Sequence, residues 1–202
     1  MDAPTDQRVL KDFLEGKAGS FELLVRRYTS DLHQFVLRFT GDAVAAEDVV
    51  QETFLQVYSS ARTFDPSRRF KPWLFTIAAN KARDALRRRN RRHEVPFDAT
   101  IGNENDSGRR FLDLISNEDA AADEELLVDE KRGVVREIIE SMPDHFGEVL
   151  ILAYYHRFPY KEIAEIVGIP LGTVKSRLHA AVVCFGERYR EMVERTEKRE
   201  GR

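Results

Sequence analysis

The chain has 202 residues, 42% of them hydrophobic, which is enough apolar material for one large or two small cores. A single cysteine, Cys184, excludes a disulfide framework and a cysteine metal cluster, and points to a reducing compartment. No apolar run approaches a membrane span, and the start MDAPTDQRVL lacks the basic and apolar regions of a signal peptide, so a cytoplasmic protein without membrane insertion is expected. The formal net charge of −3 conceals strong segregation. Residues 62–92 hold eleven Lys and Arg against two acids, whereas residues 94–130 hold two against twelve. Such a chain can carry a nucleic-acid face and an acidic strap at once.

Val9, Leu10, Phe13 and Leu14 predict a short lead helix that ends near Gly16 or Gly19. Ser20 is the expected N-cap of the next helix, which carries Phe21, Leu24, Val25, Tyr28, Leu32, Phe35, Val36 and Phe39 at helical spacing. Gly41 breaks that helix and Asp42 can cap the following one, from Ala43 to about Ala61. Val50, Phe54, Val57 and Tyr58 form its apolar side, and Asp48, Gln51, Glu52 and Gln56 lie on another face. That polar face is either a solvated surface or a docking face for a basic partner.

The stretch TFDPSRRFK predicts a loop, because Asp65-Pro66 favours a turn and proline blocks a helix. Pro72 is expected as a first helical residue, and the helix to about Arg89 is predicted to bury Leu74, Ile77, Ala78, Ala82 and Ala85. Trp73, Thr76, Asn80, Arg83 and Arg87 recur on its other side at steps of three and four. Aromatic and amide groups among arginines suit single-stranded or distorted nucleic acid, where bases stack and phosphates need cations. The run RRRNRR at 87–92 weighs against simple solvation of that face.

Residues 94–130 are rich in Asp, Glu, Asn and Gly and read as a tether, with Phe111, Leu112, Leu114 and Ile115 as one apolar island. Val134, Val135, Ile138, Ile139 and Met142 restart a helix closed by Pro143, and Phe146, Val149, Leu150 and Ala153 make the next. The stretch YKEIAEIVGIPLGTVKSRL at 160–178 then has the grammar of a helix-turn-helix. Ile163, Ala164 and Val167 give the first helix an apolar face, Gly168 permits the corner, and Pro170 stops the first helix. Val174 and Leu178 are the buried stripe of the second helix, and Thr173, Lys175, Ser176 and Arg177 begin its exposed face. Those side chains can donate to phosphates and base edges in a major groove. An ordinary αα-hairpin in a helical bundle has the same spacing. Beyond residue 188 the chain is charged and expected to fray.

The expected fold is therefore all-α, with two small helical domains. The boundaries read as 1–93, an acidic linker 94–130, a helix-turn-helix domain 131–190 and a charged tail 191–202. There is no glycine-rich phosphate loop, metal-ligand spacing or nucleophile elbow, so no enzyme activity, metal or cofactor is expected.

Three segments, DVVQETFLQVY at 48–58, FKPWLFTIAANKARDALRRR at 70–89 and YKEIAEIVGIPLGTVKSRLHAA at 160–181, resemble the region 2 and region 4 signatures of bacterial extracytoplasmic-function sigma factors. The resemblance implies a dissociable subunit of RNA polymerase that directs core enzyme to promoter DNA. It implies polymerase docking by Asp48, Gln51, Glu52 and Gln56. It implies engagement of an opened −10 element by Phe64, Arg68, Arg69, Lys71, Trp73, Asn80, Arg83 and Arg87. It implies reading of a −35 duplex by Thr173, Lys175, Ser176 and Arg177, and control by an anti-sigma factor.

One segment departs from the family pattern. After His179 the family commonly continues with basic residues, and this chain has Ala-Ala-Val-Val-Cys-Phe at 180–185. Leu178, Val182 and Phe185 read as one core stripe, with Val183 on another face beside Ala180 and Cys184. That second face is either core or the seat of a partner helix. Two other functions fit parts of the sequence: a stand-alone helix-turn-helix regulator, and a mimic that sequesters an inhibitor. The docking-type helix speaks against the first, and the basic stretch 81–92 against the second.

Overall fold

The computed structural model describes residues 4–90 and 125–200, and among them every regular element is helical. The chain forms two compact units, the first holding the four N-terminal helices and the second most of the chain from residue 125 on. The fold class is all-α. Most of the acidic tether, including its apolar island, lies outside the described residues.

In the first unit, α1 (Asp6–Leu14) is capped by the Thr5 hydroxyl, which accepts from the Arg8 N–H at 3.4 Å, and it buries Val9 and Leu10. The Asp6 carboxylate accepts from the Tyr28 hydroxyl and from Arg27, which ties α1 to α2 (Ser20–Thr40). Burial first, and the bond to Asp6 second, push the Tyr28 hydroxyl well above its ordinary pKa. The N-cap of α2 is Gly19, at φ 79°, rather than Ser20, which is already helical. A left-handed residue fits where the chain doubles back from α1, and glycine takes that φ without strain. Gly41 closes α2 at φ 68° and donates to the Leu37 carbonyl at 2.8 Å.

Asp42 caps α3 (Ala43–Ser60) as expected, accepting from the N–H groups of Val44 at 2.9 Å and Ala45 at 3.1 Å. The core side of α3 is Ala46, Val49, Val50, Thr53, Phe54 and Val57. Tyr58 is not part of it: the ring is 59% exposed, because it sits at the open edge of the packing against α2. A 3-10 turn (Ala61–Thr63) and a loop lead to α4 (Phe70–Asn90), which starts two residues before Pro72. Proline is tolerated there because first-turn N–H groups have no intrahelical acceptor. The buried face of α4 is Phe70, Leu74, Phe75, Ala78, Ala79, Ala82 and Leu86; Ile77 and Ala85, expected inside, are half-buried. Helices α2, α3 and α4 pack on one another with α1 at the side, and the small alanines let α4 lie close.

In the second unit, α5 (Glu125–Ser141) begins inside the stretch assigned to the tether. Pro143 starts α6 (Asp144–Leu150), where Gly147 packs closely on α5: an added Cβ would lie 3.3 Å from Ile139 Cγ2. A π-helical turn (Ile151–Tyr155) follows, closed by the His156 N–H on the Ile151 carbonyl at 3.2 Å. Arg157 then takes φ 52°, a left-handed conformation that costs a side-chain-bearing residue energy.

The helix-turn-helix is α7 (Tyr160–Val167), Gly168 at φ 74°, and α8 (Leu171–Glu200). Ile163 and Ile166 are the buried residues of α7, whereas Ala164 and Val167 are half-buried. In α8 the buried set is Val174, Leu178, Ala181, Val183 and Phe185. Within the apolar departure at 180–185, Val183 is 4% exposed and is core with Ala181 and Phe185, whereas Ala180, Cys184 and Val182, the last expected inside, are half-buried. Because α8 packs against both α5 and α6, its buried arc is wider than one narrow stripe. The helix also continues to Glu200 instead of fraying after residue 188, since its last turns consist largely of good helix formers.

Candidate docking and nucleic-acid interfaces

Because α3 spends Val49, Val50, Thr53, Phe54 and Val57 on the core, its opposite side faces outward. Asp48, Gln51, Glu52 and Gln56 are all exposed there, a stripe along two turns. Glu52 meets Lys81 of α4 at 3.2 Å, and Gln56 donates to the Ser60 hydroxyl at 3.2 Å. Asp48 has no ion pair among the described residues. Sequence reasoning missed the apolar company of this stripe. Leu55 is 63% exposed and, with Tyr58, Phe54, Phe21 and Val25, lines a groove of about 460 Å³ between α2 and α3. Phe13 and Phe21 both lie 5.2 Å from the Tyr58 ring and complete an aromatic cluster at its end. The signal was available: Leu55 interrupts the polar stripe at four residues beyond Gln51.

The loop before α4 is a tight turn. Asp65 accepts from the Ser67 N–H at 2.9 Å, and the bonds from Ser67 hold its carboxyl below the usual range. Arg68 and Arg69 project from this turn into solvent. Phe64 does not: it is 9% exposed and packs on Trp73, with ring centroids 4.7 Å apart, and on Phe70 at 6.0 Å. The periodicity of a loop says nothing about which aromatic turns inward; here Phe64 supports the turn from beneath, and Trp73 is half-buried beside it.

Along α4, Asn80 is exposed and accepts from Arg83 at 3.1 Å, and Arg87 pairs with Asp84 at 2.9 Å. Lys71 pairs with Asp31 of α2 at 3.0 Å, and Arg89 donates to the Thr40 carbonyl at the end of α2. Trp73, Asn80, Arg83 and Arg87 thus form one face that starts at the aromatic cluster and ends in arginines. Its mix of a partly exposed ring, an amide and guanidinium groups can stack a base and hold a strand's phosphates.

In the second unit, Thr173, Lys175, Ser176 and Arg177 occupy the first two turns of α8, Lys175 and Ser176 exposed and Thr173 and Arg177 half-buried. The Ser176 hydroxyl donates to the Thr173 carbonyl at 3.1 Å. The core residues Val174 and Leu178 fix the rotation of the helix, so these four cannot turn inward. A neighbour that the sequence did not announce is His145 of α6. Partial burial, and then the charge of Arg177, hold its imidazole below the ordinary pKa, which keeps a second cation away from Arg177 near neutral pH. Among the described residues no cluster of His, Cys, Asp and Glu could hold a metal ion, and no helix is long and apolar enough to cross a membrane.

Comparison with known proteins places both units in one family. Residues 24–92 match the family model for sigma-70 region 2, and residues 132–184 match that for sigma-70 region 4. The chain is 32% identical over 193 residues to the ECF RNA polymerase sigma-E factor of Escherichia coli, covering 95% of this chain and 97% of that one. It is 29% identical over 186 residues to the ECF RNA polymerase sigma factor SigW of Bacillus subtilis, covering 91% and 96%. The fold is also that of the sigma factor RpoE of Bartonella quintana, solved in complex with the anti-sigma factor NepR. That match has a TM-score of 0.63 at 21% identity and covers 86% of this chain and 98% of that one. With the exposed α3 stripe, the basic α4 face and the helix-turn-helix in their expected order, the chain belongs to the extracytoplasmic-function sigma factors, the promoter-directing subunits of RNA polymerase.

Proposed function

We propose that the two units divide the work of promoter recognition. The unit within 1–93 docks on core polymerase through Asp48, Gln51, Glu52 and Gln56 of α3. It engages the opened −10 strand through Arg68, Arg69, Lys71, Trp73, Asn80, Arg83 and Arg87, with Phe64 shaping the turn beneath them. The unit within 131–190 reads the −35 duplex through Thr173, Lys175, Ser176 and Arg177, the acidic stretch 94–130 joins the two, and 191–202 is a charged tail. The protein works in the cytoplasm, by binding rather than by catalysis. An anti-sigma factor holds it inactive, as the complex of the Bartonella relative suggests.

The observation that carries this reading is the pair of opposed surfaces in one small unit. An exposed carboxylate–amide stripe on α3 suits a basic protein surface, and a face of arginines around Trp73 on α4 suits a nucleic-acid strand. A regulator that never met polymerase would have no use for the first. Asp48→Arg with Glu52→Arg is expected to weaken binding to core enzyme about tenfold or more. Both residues are exposed, so the helical circular dichroism should be retained. Wild-type affinity in a titration with core polymerase would overturn the docking assignment.

A further inference from the structure

The groove of about 460 Å³ between α2 and α3 has Phe54 in its floor and Leu55 and Tyr58 on its lip, the last two 63% and 59% exposed. Adjoining apolar side chains of this size, left open to water, mark a surface that something covers. The groove is not apolar throughout. Glu47 lines it from α3, and this carboxylate is exposed, with no ion pair or hydrogen bond among the described residues. A segment that fits such a groove carries a few adjacent apolar side chains with a cation beside them. The chain itself holds one. Residues 94–130 contain just two basic residues, Arg109 and Arg110, and these stand directly before the apolar island Phe111, Leu112, Leu114 and Ile115. The spacing of those four puts them on one side of a helical turn, with Asp113 on the other. Residues 91–110 can span up to about 70 Å when extended, against a diameter of about 30 Å for a unit of this size.

We infer that residues 109–115 seat in this groove in the free chain, and that core enzyme displaces them when it docks. The four apolar side chains lie against Phe54, Leu55 and Tyr58, and the two arginines face Glu47. The displacement rests on the docking role of α3; the seating does not. Covalent attachment keeps the segment near the groove at an effective concentration on the order of 1 mM. A contact too weak to persist between separate molecules therefore stays formed within one. The arginines set the direction in which the segment lies, because the other charges of the tether are acids that Glu47 repels. A factor built this way keeps its apolar groove from water while free, and core enzyme competes with an internal occupant for the face beside the α3 stripe.

The test uses full chains and a fluorescent peptide of residues 108–118, followed by anisotropy. A chain carrying Phe111→Ser, Leu112→Ser, Leu114→Ser and Ile115→Ser has an open groove. It is expected to bind the peptide about tenfold more tightly than wild type, whose own segment competes. Adding Leu55→Asp to the four-serine chain should abolish that binding; Leu55 is exposed, so the helical circular dichroism is retained. Adding Glu47→Arg instead should weaken it about threefold, and a peptide with Arg109→Glu and Arg110→Glu should recover the loss on that chain. Equal peptide affinity of wild-type and four-serine chains, or binding that Leu55→Asp leaves untouched, overturns the seating. So does a wild-type dimer in analytical ultracentrifugation that Leu55→Asp dissociates, which assigns the groove to a second copy. In titration with core polymerase the four-serine chain should bind about tenfold more tightly than wild type. Peptide binding as expected with unchanged core affinity overturns the displacement alone. Asp48→Arg with Glu52→Arg separates the two readings: wild-type core affinity there sinks the docking assignment, while the peptide result still decides the seating.

Discussion

In the N-terminal unit four basic groups of α4 are engaged by other groups of the protein: Lys71 with Asp31, Lys81 with Glu52, Arg87 with Asp84, Arg89 with the Thr40 carbonyl. In the C-terminal unit Lys175 and Arg177 of α8 have no ion-pair or hydrogen-bond partner among the described residues. Both helices carry cations toward solvent, yet they are in different states of readiness. A ligand for α8 displaces only water and counterions. A ligand for α4 must also exchange intramolecular partners, so binding there is conditional on what happens to those partners. The geometry suits the two tasks proposed above, a duplex read as it stands and a strand held only once it has been opened.

The largest way to break this comparison is to remove the C-terminal reader altogether. Val183→Glu places a carboxylate at a core position of α8. It is expected to destabilise the second unit by roughly 3–5 kcal/mol. Thermal melts of the full chain should then show the loss of part of the helical signal at a lower temperature, with −35 binding gone. An unshifted melt would show that Val183 is at a surface.

A smaller effect follows from the α8 donors themselves. Lys175→Ala with Arg177→Ala should lower the salt slope of −35 duplex binding by nearly two units, about 0.9 for each lost phosphate contact. Where one of them reads a base, selectivity at that position falls by roughly 1–3 kcal/mol. Normal slope and normal selectivity would remove both residues from the interface.

The next contrast lies on α4. Asn80→Ala deletes an exposed amide that also orients Arg83. It should impair promoter opening while sparing duplex binding, with a cost of about 1 kcal/mol for the lost bond. Permanganate reactivity of the melted strand reads the first and a gel shift on duplex the second; equal losses in both would place Asn80 outside strand capture.

The smallest expected change is a gain. Arg157 sits at φ 52° before the helix-turn-helix, and Arg157→Gly relieves that conformation at an entropic cost. The melting temperature of the second unit should rise by the equivalent of about 0.5–1 kcal/mol. A fall would mean that the arginine's contacts outweigh its strain.

The sequence by itself determined the helices and their punctuation. Asp42 caps α3, Gly41 and Gly168 take the left-handed turns, and Pro143 ends α5, because these are local preferences of backbone and side chain. It also determined the two-part organisation, since apolar residues at helical spacing recur on either side of a long acidic stretch. Periodicity, however, gives each helix a direction and not the width of the face its neighbours cover. Only packing decided that Val183 is inside and Tyr58 outside, that Phe64 lies beneath its loop, and that Ile77 and Ala85 yield the core to Phe75 and Leu86. The pairing of Lys81 with Glu52 and the approach of Arg177 to His145 join residues far apart in the chain. A charge pattern along one helix carries no record of the charge that another helix brings beside it, so these contacts exist only in the folded protein.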